Sequence, residues 1–200
     1  MMMFDGIIFD CDGTLADTMP LHWQAWQVIT LRHDLHFPED RFYELGGVPS
    51  RDILRVLREE QNVPIDPLAV AQEKEHEYLK LLDQVNPIHE VLDVAREHAG
   101  RIPMAVASGG TRHVIERVLL HLNIRDLFAA VVTSEEVDNQ KPAPDIFLEA
   151  ARRLGVVPER CCGYEDTDLG MRAIRSAGMQ AVDVRPLRRN GATPARVPLG

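Results

Sequence analysis

The sequence predicts an α/β protein: a doubly wound parallel sheet with an inserted helical domain. Five short β-branched or aromatic runs alternate with stretches that carry apolar residues at three- and four-residue spacing. Strands alternating with helices of this length build βαβ units, and so a parallel sheet with helices on both faces. One region, from about 17 to 86, breaks the alternation and carries helical patterns alone.

The first run, Met3-Phe4-Asp5-Gly6-Ile7-Ile8-Phe9, stops at the turn-forming cluster Asp10-Cys11-Asp12-Gly13-Thr14, as a buried strand entering a loop would. Inside the inserted region helices are expected over 21–32, 50–61 and 67–82, with Ser50 and Asp66 as N-caps and Pro87 near the exit. Helices over 91–99, 112–122, 144–154 and 168–177 then alternate with strands over 104–107, 130–133, 161–164 and 181–184. The stretch 188–200 mixes Arg, Gly, Pro and Thr with little apolar content and is expected to be loose. The implied division is a core of 1–16 and 87–187 around a helical insert of 17–86.

Composition narrows the function classes. A hydrophobic fraction of 45% and a charged fraction of 26% are ordinary for a globular chain and exclude a wholly disordered one. The net charge of −9 and the lack of a clustered basic and aromatic stripe argue against a nucleic-acid partner. An anionic substrate therefore needs a local device. Three cysteines, with Cys161 and Cys162 adjacent, make a poor disulfide framework and point to a reducing compartment, the cytoplasm. The first ten residues have no basic n-region and their apolar run ends at a carboxylate, so neither a signal peptide nor a membrane partner is expected.

Ligands of an open parallel sheet sit beyond the carboxyl ends of its strands, and the polar residues here gather there. The first strand delivers Asp10 and Asp12, the second Ser108-Gly109-Gly110, the loop after the third Lys141-Pro142, and the fourth Glu165-Asp166. Two carboxylates just past a strand end can take different tasks, one as nucleophile and the other as acid and base. An isolated pair of this kind serves equally as an Asx turn closing a βα loop. Glu165-Asp166 bears on that choice, because several carboxylates at one sheet edge repel one another unless a hard cation such as Mg²⁺ joins them. Glu165-Asp166 also suits a helix start, with Asp166 or Thr167 as its cap. Ser108 with Gly109 and Gly110 fits a phosphoryl group as well as a plain turn, and Lys141 alone reads as a solvated lysine.

Taken in order, Asp10-x-Asp12-Gly13-Thr14-Leu15, Ser108, Lys141-Pro142-Ala143-Pro144-Asp145 and Glu165-Asp166 resemble the four motifs of the haloacid dehalogenase-like superfamily, over nearly the whole chain. The helical insert resembles the α-helical cap of its β-phosphoglucomutase-like branch. Dehalogenases proper lack the second aspartate of the first motif, so Asp12 favours phosphoryl chemistry. The resemblance implies that Asp10 attacks phosphorus and that Asp12 protonates the leaving oxygen and later takes a proton from the second nucleophile. It implies that Ser108, Gly109 and Lys141 hold the phosphoryl group, and that Asp10, the Asp12 carbonyl, Glu165 and Asp166 bind Mg²⁺.

Within that branch, hydrolysis of a small sugar phosphate competes with phosphate exchange on β-glucose phosphates. His22 resembles residues of both groups, and Lys74 falls where mutases carry a substrate-contacting lysine, although a solvated face explains its charged helix as well. The loop Gly46-Gly47-Val48-Pro49-Ser50-Arg51 discriminates better. Mutases place an arginine for the second phosphate soon after the glycine and valine, whereas Pro49-Ser50 here resembles the fructose-1-phosphate-type phosphatases, with Arg51 following. The expectation is a phosphatase acting on a sugar phosphate, with a mutase as the alternative and a non-catalytic binding protein of the same fold as a third reading that the intact motif residues oppose.

Overall fold

The computed structural model of the protein describes residues 4–190. Five parallel strands, β1 (Gly6–Phe9), β2 (Met104–Ser108), β3 (Ala130–Thr133), β4 (Cys161–Glu165) and β5 (Gln180–Asp183), form one sheet in the order β3-β2-β1-β4-β5. Because β1 lies at the centre, all four of its residues are buried, which explains an uninterrupted apolar run where a half-exposed strand would alternate. Its side chains still divide between two faces. Ile7 and Phe9 join Met104, Val106 and Tyr164 on one side, beneath α5 (His89–His98) and α6 (Arg112–His121). Ile8 joins Ala105, Ala107 and Val132 on the other, against α7 (Asp145–Leu154) and α8 (Asp168–Ser176).

Between β1 and α5 the chain forms a helical cap of α1 (Met19–Arg32), α2 (Glu39–Glu44), α3 (Ser50–Gln61) and α4 (Pro67–Leu79), with a hydrophobic cluster of its own built on Trp26, Ile29, Phe37, Phe42, Leu54 and Leu57. The two crossings between cap and sheet pair with each other. Asp17 N donates to Asn86 O at 2.8 Å and Ile88 N to Leu15 O at 2.9 Å, around a bridge between Ala16 and Pro87. The cap is thus joined to the sheet by two short segments that lie side by side.

Several expectations need correction. Ser50 is the first residue of α3 rather than its N-cap; Pro49 holds that position, and no side chain caps the helix. Asp66 does cap α4, accepting from Leu68 N and Ala69 N. The helix expected to reach 82 ends at Leu79 and tightens into a 3₁₀ turn over Leu82–Gln84. α2 was not expected. Residues 188–190, expected to be loose, complete a last helix α9 (Arg185–Asn190), while the rest of that tail lies outside the described residues. Among the described residues no helix is long and apolar enough to cross a membrane.

Candidate active site

The carboxyl edge of the sheet converges on Asp10, which continues the β1 ladder through its N–H to Tyr164 O at 3.0 Å. Lys141 reaches it from the loop after β3. Its Nζ donates to Asp10 Oδ1 at 2.6 Å and to Glu165 Oε2 at 2.8 Å, with the lysine side chain only 1% exposed. Burial opposes the lysine's charge, but Asp10 and Glu165 outweigh it and raise its pKa above the ordinary value. The other oxygen of Glu165 accepts from Asp166 N, Thr167 N and Thr167 Oγ1, so this fully buried carboxylate also fixes the start of α8. Thr167 caps that helix by accepting from Gly170 N.

Asp12 is held from three sides. Thr18 Oγ1 donates to its Oδ1 at 2.8 Å, Ser108 Oγ donates to its Oδ2 at 3.3 Å, and His22 Nε2 lies 3.1 Å from Oδ1. His22 Nδ1 in turn lies 2.7 Å from Lys74 Nζ. A lysine ammonium can only donate, so Nδ1 is the acceptor and the ring proton sits on Nε2, where it donates to Asp12. The imidazole is kept in this orientation by stacking on Tyr78, with ring centroids 3.9 Å apart. Burial alone would push Asp12 up, but the hydrogen bonds from His22 and Thr18, with the Lys74 charge behind His22, bring it down to about 2. Burial and the Lys74 charge push His22 down, and burial pushes Lys74 down to about 8.

Asp166 completes the edge, accepting from Thr14 Oγ1 at 2.9 Å. Oxygen atoms of Asp10, Glu165 and Asp166 all lie within 4.8 Å of one another. Burial and the Glu165 charge push Asp166 up to about 7, and burial with the Glu165 charge also pushes Asp10 well up. Lys141 alone does not offset this concentration of acid. A set of hard oxygen donors short of positive charge fits a divalent cation such as Mg²⁺.

Above these groups lies a cavity of about 270 Å³ between cap and sheet, and Gly47, Ser50, Arg51, Ser108 and Gly109 line it together with Asp10, Asp12, His22 and Lys74. The structure thus brings together the residues that the sequence singled out. Lys74 is 4% exposed, so the solvated-face reading of it does not hold. Sequence reasoning passed over Thr18, whose position at the N-cap of α1 was a usable signal; its hydroxyl is spent on Asp12 and makes no cap bond. It also passed over Thr14, which lies inside the first motif and orients Asp166.

This architecture places the protein among hydrolases that set a carboxylate-rich sheet edge beneath a helical cap. The chain belongs to the haloacid dehalogenase-like hydrolase family, whose model matches residues 4–178. It is 42% identical over 185 residues to the fructose-1-phosphate phosphatase YqaB of Escherichia coli, covering 92% of this chain and 98% of that protein. It is 31% identical to a β-phosphoglucomutase of Bacillus subtilis, covering 89% of this chain and 80% of that one. A solved β-phosphoglucomutase of Clostridium difficile superposes with a TM-score of 0.81 at 29% identity, over 90% of this chain and 84% of that chain.

Proposed function

We propose that the protein is a Mg²⁺-dependent phosphatase that hydrolyses a small sugar phosphate, of the fructose 1-phosphate kind, through an aspartyl phosphate on Asp10. The observation that carries this reading is the division of labour between two neighbouring aspartates. Asp10 shares a buried lysine with Glu165, while Asp12 is held apart by Thr18, Ser108 and the His22–Lys74 pair. Identity of 42% to a fructose-1-phosphate phosphatase along almost that protein's whole length supports the substrate class.

In the first step an Asp10 oxygen forms a bond to phosphorus as the bond to the sugar oxygen breaks, and Asp12, protonated against the pull of His22 and Thr18 when the substrate docks, gives its proton to that oxygen. In the second step Asp12 takes a proton from a water that attacks the same phosphorus, and Asp10 leaves as a carboxylate. The contacts from His22 and Thr18 favour the carboxylate form of Asp12, the form this second step needs. Lys141 keeps positive charge beside Asp10 throughout, and Ser108 with the following backbone N–H groups faces the phosphoryl oxygens. Asp10, the Asp12 carbonyl and Asp166, with Glu165 beside it, would hold Mg²⁺, which would supply charge neutralisation at those oxygens. The cap, residues 17–86, closes as one body over the core of 1–16 and 87–187 and keeps other water out. Three buried free cysteines support a cytoplasmic location.

The test is phosphate release from fructose 1-phosphate and from β-glucose 1-phosphate, with and without Mg²⁺, while 6-phosphate formation is followed in parallel. Phosphate release that needs Mg²⁺ is expected. Glucose 6-phosphate appearing much faster than free phosphate would make the protein a mutase.

A further inference from the structure

One acidic side chain in the wall of the substrate cavity takes no part in the chemistry above. On α4, Leu68, Ala71, Gln72 and Glu75 recur at the three- and four-residue spacing of one helix face, and this face lines the cavity. Lys74, the neighbour of Glu75, turns its ammonium to His22 instead. Glu75 is partly buried, yet among the described residues it forms no ion pair, and its near polar neighbour is the Thr111 hydroxyl. Opposite it stand Thr111, His113 and Glu135 of the core. The Thr111 hydroxyl is buried without a hydrogen-bond partner of proper geometry, although it lies near enough to favour the charged form of Glu75. Burial pushes the Glu75 pKa up, Thr111 and Lys74 act against that, and Glu135 adds to it. A half-buried carboxylate and a buried hydroxyl with no polar neighbour closer than each other, facing into a cavity, are a place for ligand hydroxyl groups.

Asp10, Glu165 and Asp166 stand at the ends of β1 and β4, whereas Thr111 and Glu135, the core groups beside Glu75, follow β2 and β3 on the other side of the sheet edge. Glu75 therefore lies toward the end of the cavity away from the reacting phosphorus. We infer that Glu75 is a specificity-determining residue: it accepts hydrogen bonds from hydroxyls at the unphosphorylated end of the substrate and turns away a substrate that carries a second phosphate there. The inference rests on the phosphatase reading and sharpens it to polyhydroxylated monophosphates. Glu135, whose carboxylate accepts from Arg112 N at 2.6 Å, reinforces the repulsion from the core side. Arg51, the cavity-lining cation of α3, has Asp52 3.7 Å from its Nε.

The test is calorimetric binding of fructose 1-phosphate, fructose 1,6-bisphosphate and inorganic phosphate to the full chain carrying Asp10→Asn, which prevents turnover. The monophosphate should bind more tightly than the bisphosphate. Adding Glu75→Gln should shrink that preference about tenfold, the size of one charge-assisted contact. Adding Glu75→Ala should weaken the monophosphate as well and leave inorganic phosphate unchanged. A bisphosphate that binds as tightly as the monophosphate before any change at Glu75, or a preference that survives both substitutions, would overturn the inference. Release of phosphate from p-nitrophenyl phosphate by the chain with Asp10 intact gauges the phosphatase reading separately, because that substrate has no hydroxyls to offer Glu75.

Discussion

Gly109 of the core and Gly47 of the cap meet backbone to backbone: the Gly47 carbonyl oxygen occupies the space that a Cβ on Gly109 would need. The contact brings the cap loop that begins α3 down onto the turn that follows β2, directly over the cavity. Gly109→Ala should therefore block full closure, since carbonyl oxygens of a packed loop cannot give way as a flexible side chain would. Gly109 is not among the glycines at positive φ, so the substitution acts through this clash and not through backbone strain. A loss of about a hundredfold in kcat/KM is expected for a displacement near 1 Å at the reacting groups. The melting temperature should stay close to that of the unaltered chain, because the cap can settle in a more open position.

Asp10→Asn should remove turnover, by about a thousandfold or more, with the fold intact. The amide oxygen can still accept from Lys141, so the buried lysine is not left alone, while the anionic nucleophile is gone. Phosphate release measured beside a circular dichroism spectrum checks both halves. Full activity in a folded variant would remove Asp10 from the mechanism.

Chelation should silence the enzyme and Mg²⁺ should restore it. The same ion should raise the melting temperature in the absence of substrate, because a cation that binds only the folded edge stabilises it, by about 2.7 kcal/mol at a hundred times its dissociation constant. Asp166→Asn should diminish both effects together. Metal-dependent activity with no thermal shift would move the ion away from Asp10, Glu165 and Asp166.

Much of this site could be read from the sequence because the sheet does the assembling. Each motif follows a strand whose buried apolar residues mark its end, and in a parallel sheet those ends share one edge. What escaped has physical causes. α2 has six residues, too few for a periodic pattern, and follows Pro38 with no capping side chain. The charged look of α4 left a solvated face open as a reading of Lys74. Glu73 and Glu77 pair with Arg32 of α1, so the acid-rich stretch is partly a helix-to-helix seam and not a free solvent face. Lys74, one position on, faces inward to His22, and nothing in the local composition distinguishes it from its neighbours. Thr18 was hidden differently: its place before a helix suggests a cap, and only the tertiary structure shows its hydroxyl turned to Asp12.

Lys74 joins stability to function and gives the last prediction. Burial lowers its pKa from 10.5 to about 8, with Asp12 and Glu75 acting the other way. Because the folded-state value lies below the unfolded one, the unfolded chain binds more protons between those two pH values, and folding grows more favourable as pH rises through the window. Below pH 8 the cost of burying the ammonium is present in full, and above about 10.5 it is gone. Lys74→Met fills much of the same space without charge and removes this dependence. Relative to the variant, the unaltered chain should gain up to about 3 kcal/mol of unfolding free energy between pH 7 and pH 10.5. At pH 7 the variant should be at least as stable, with the lost contacts to the Trp26 and Tyr78 rings drawing down its gain. Its activity should fall sharply, because His22 loses the donor that fixes its tautomer and Asp12 loses its oriented partner. Denaturant unfolding of both proteins across that pH range decides the matter: parallel stability curves would mean that Lys74 does not carry a buried charge.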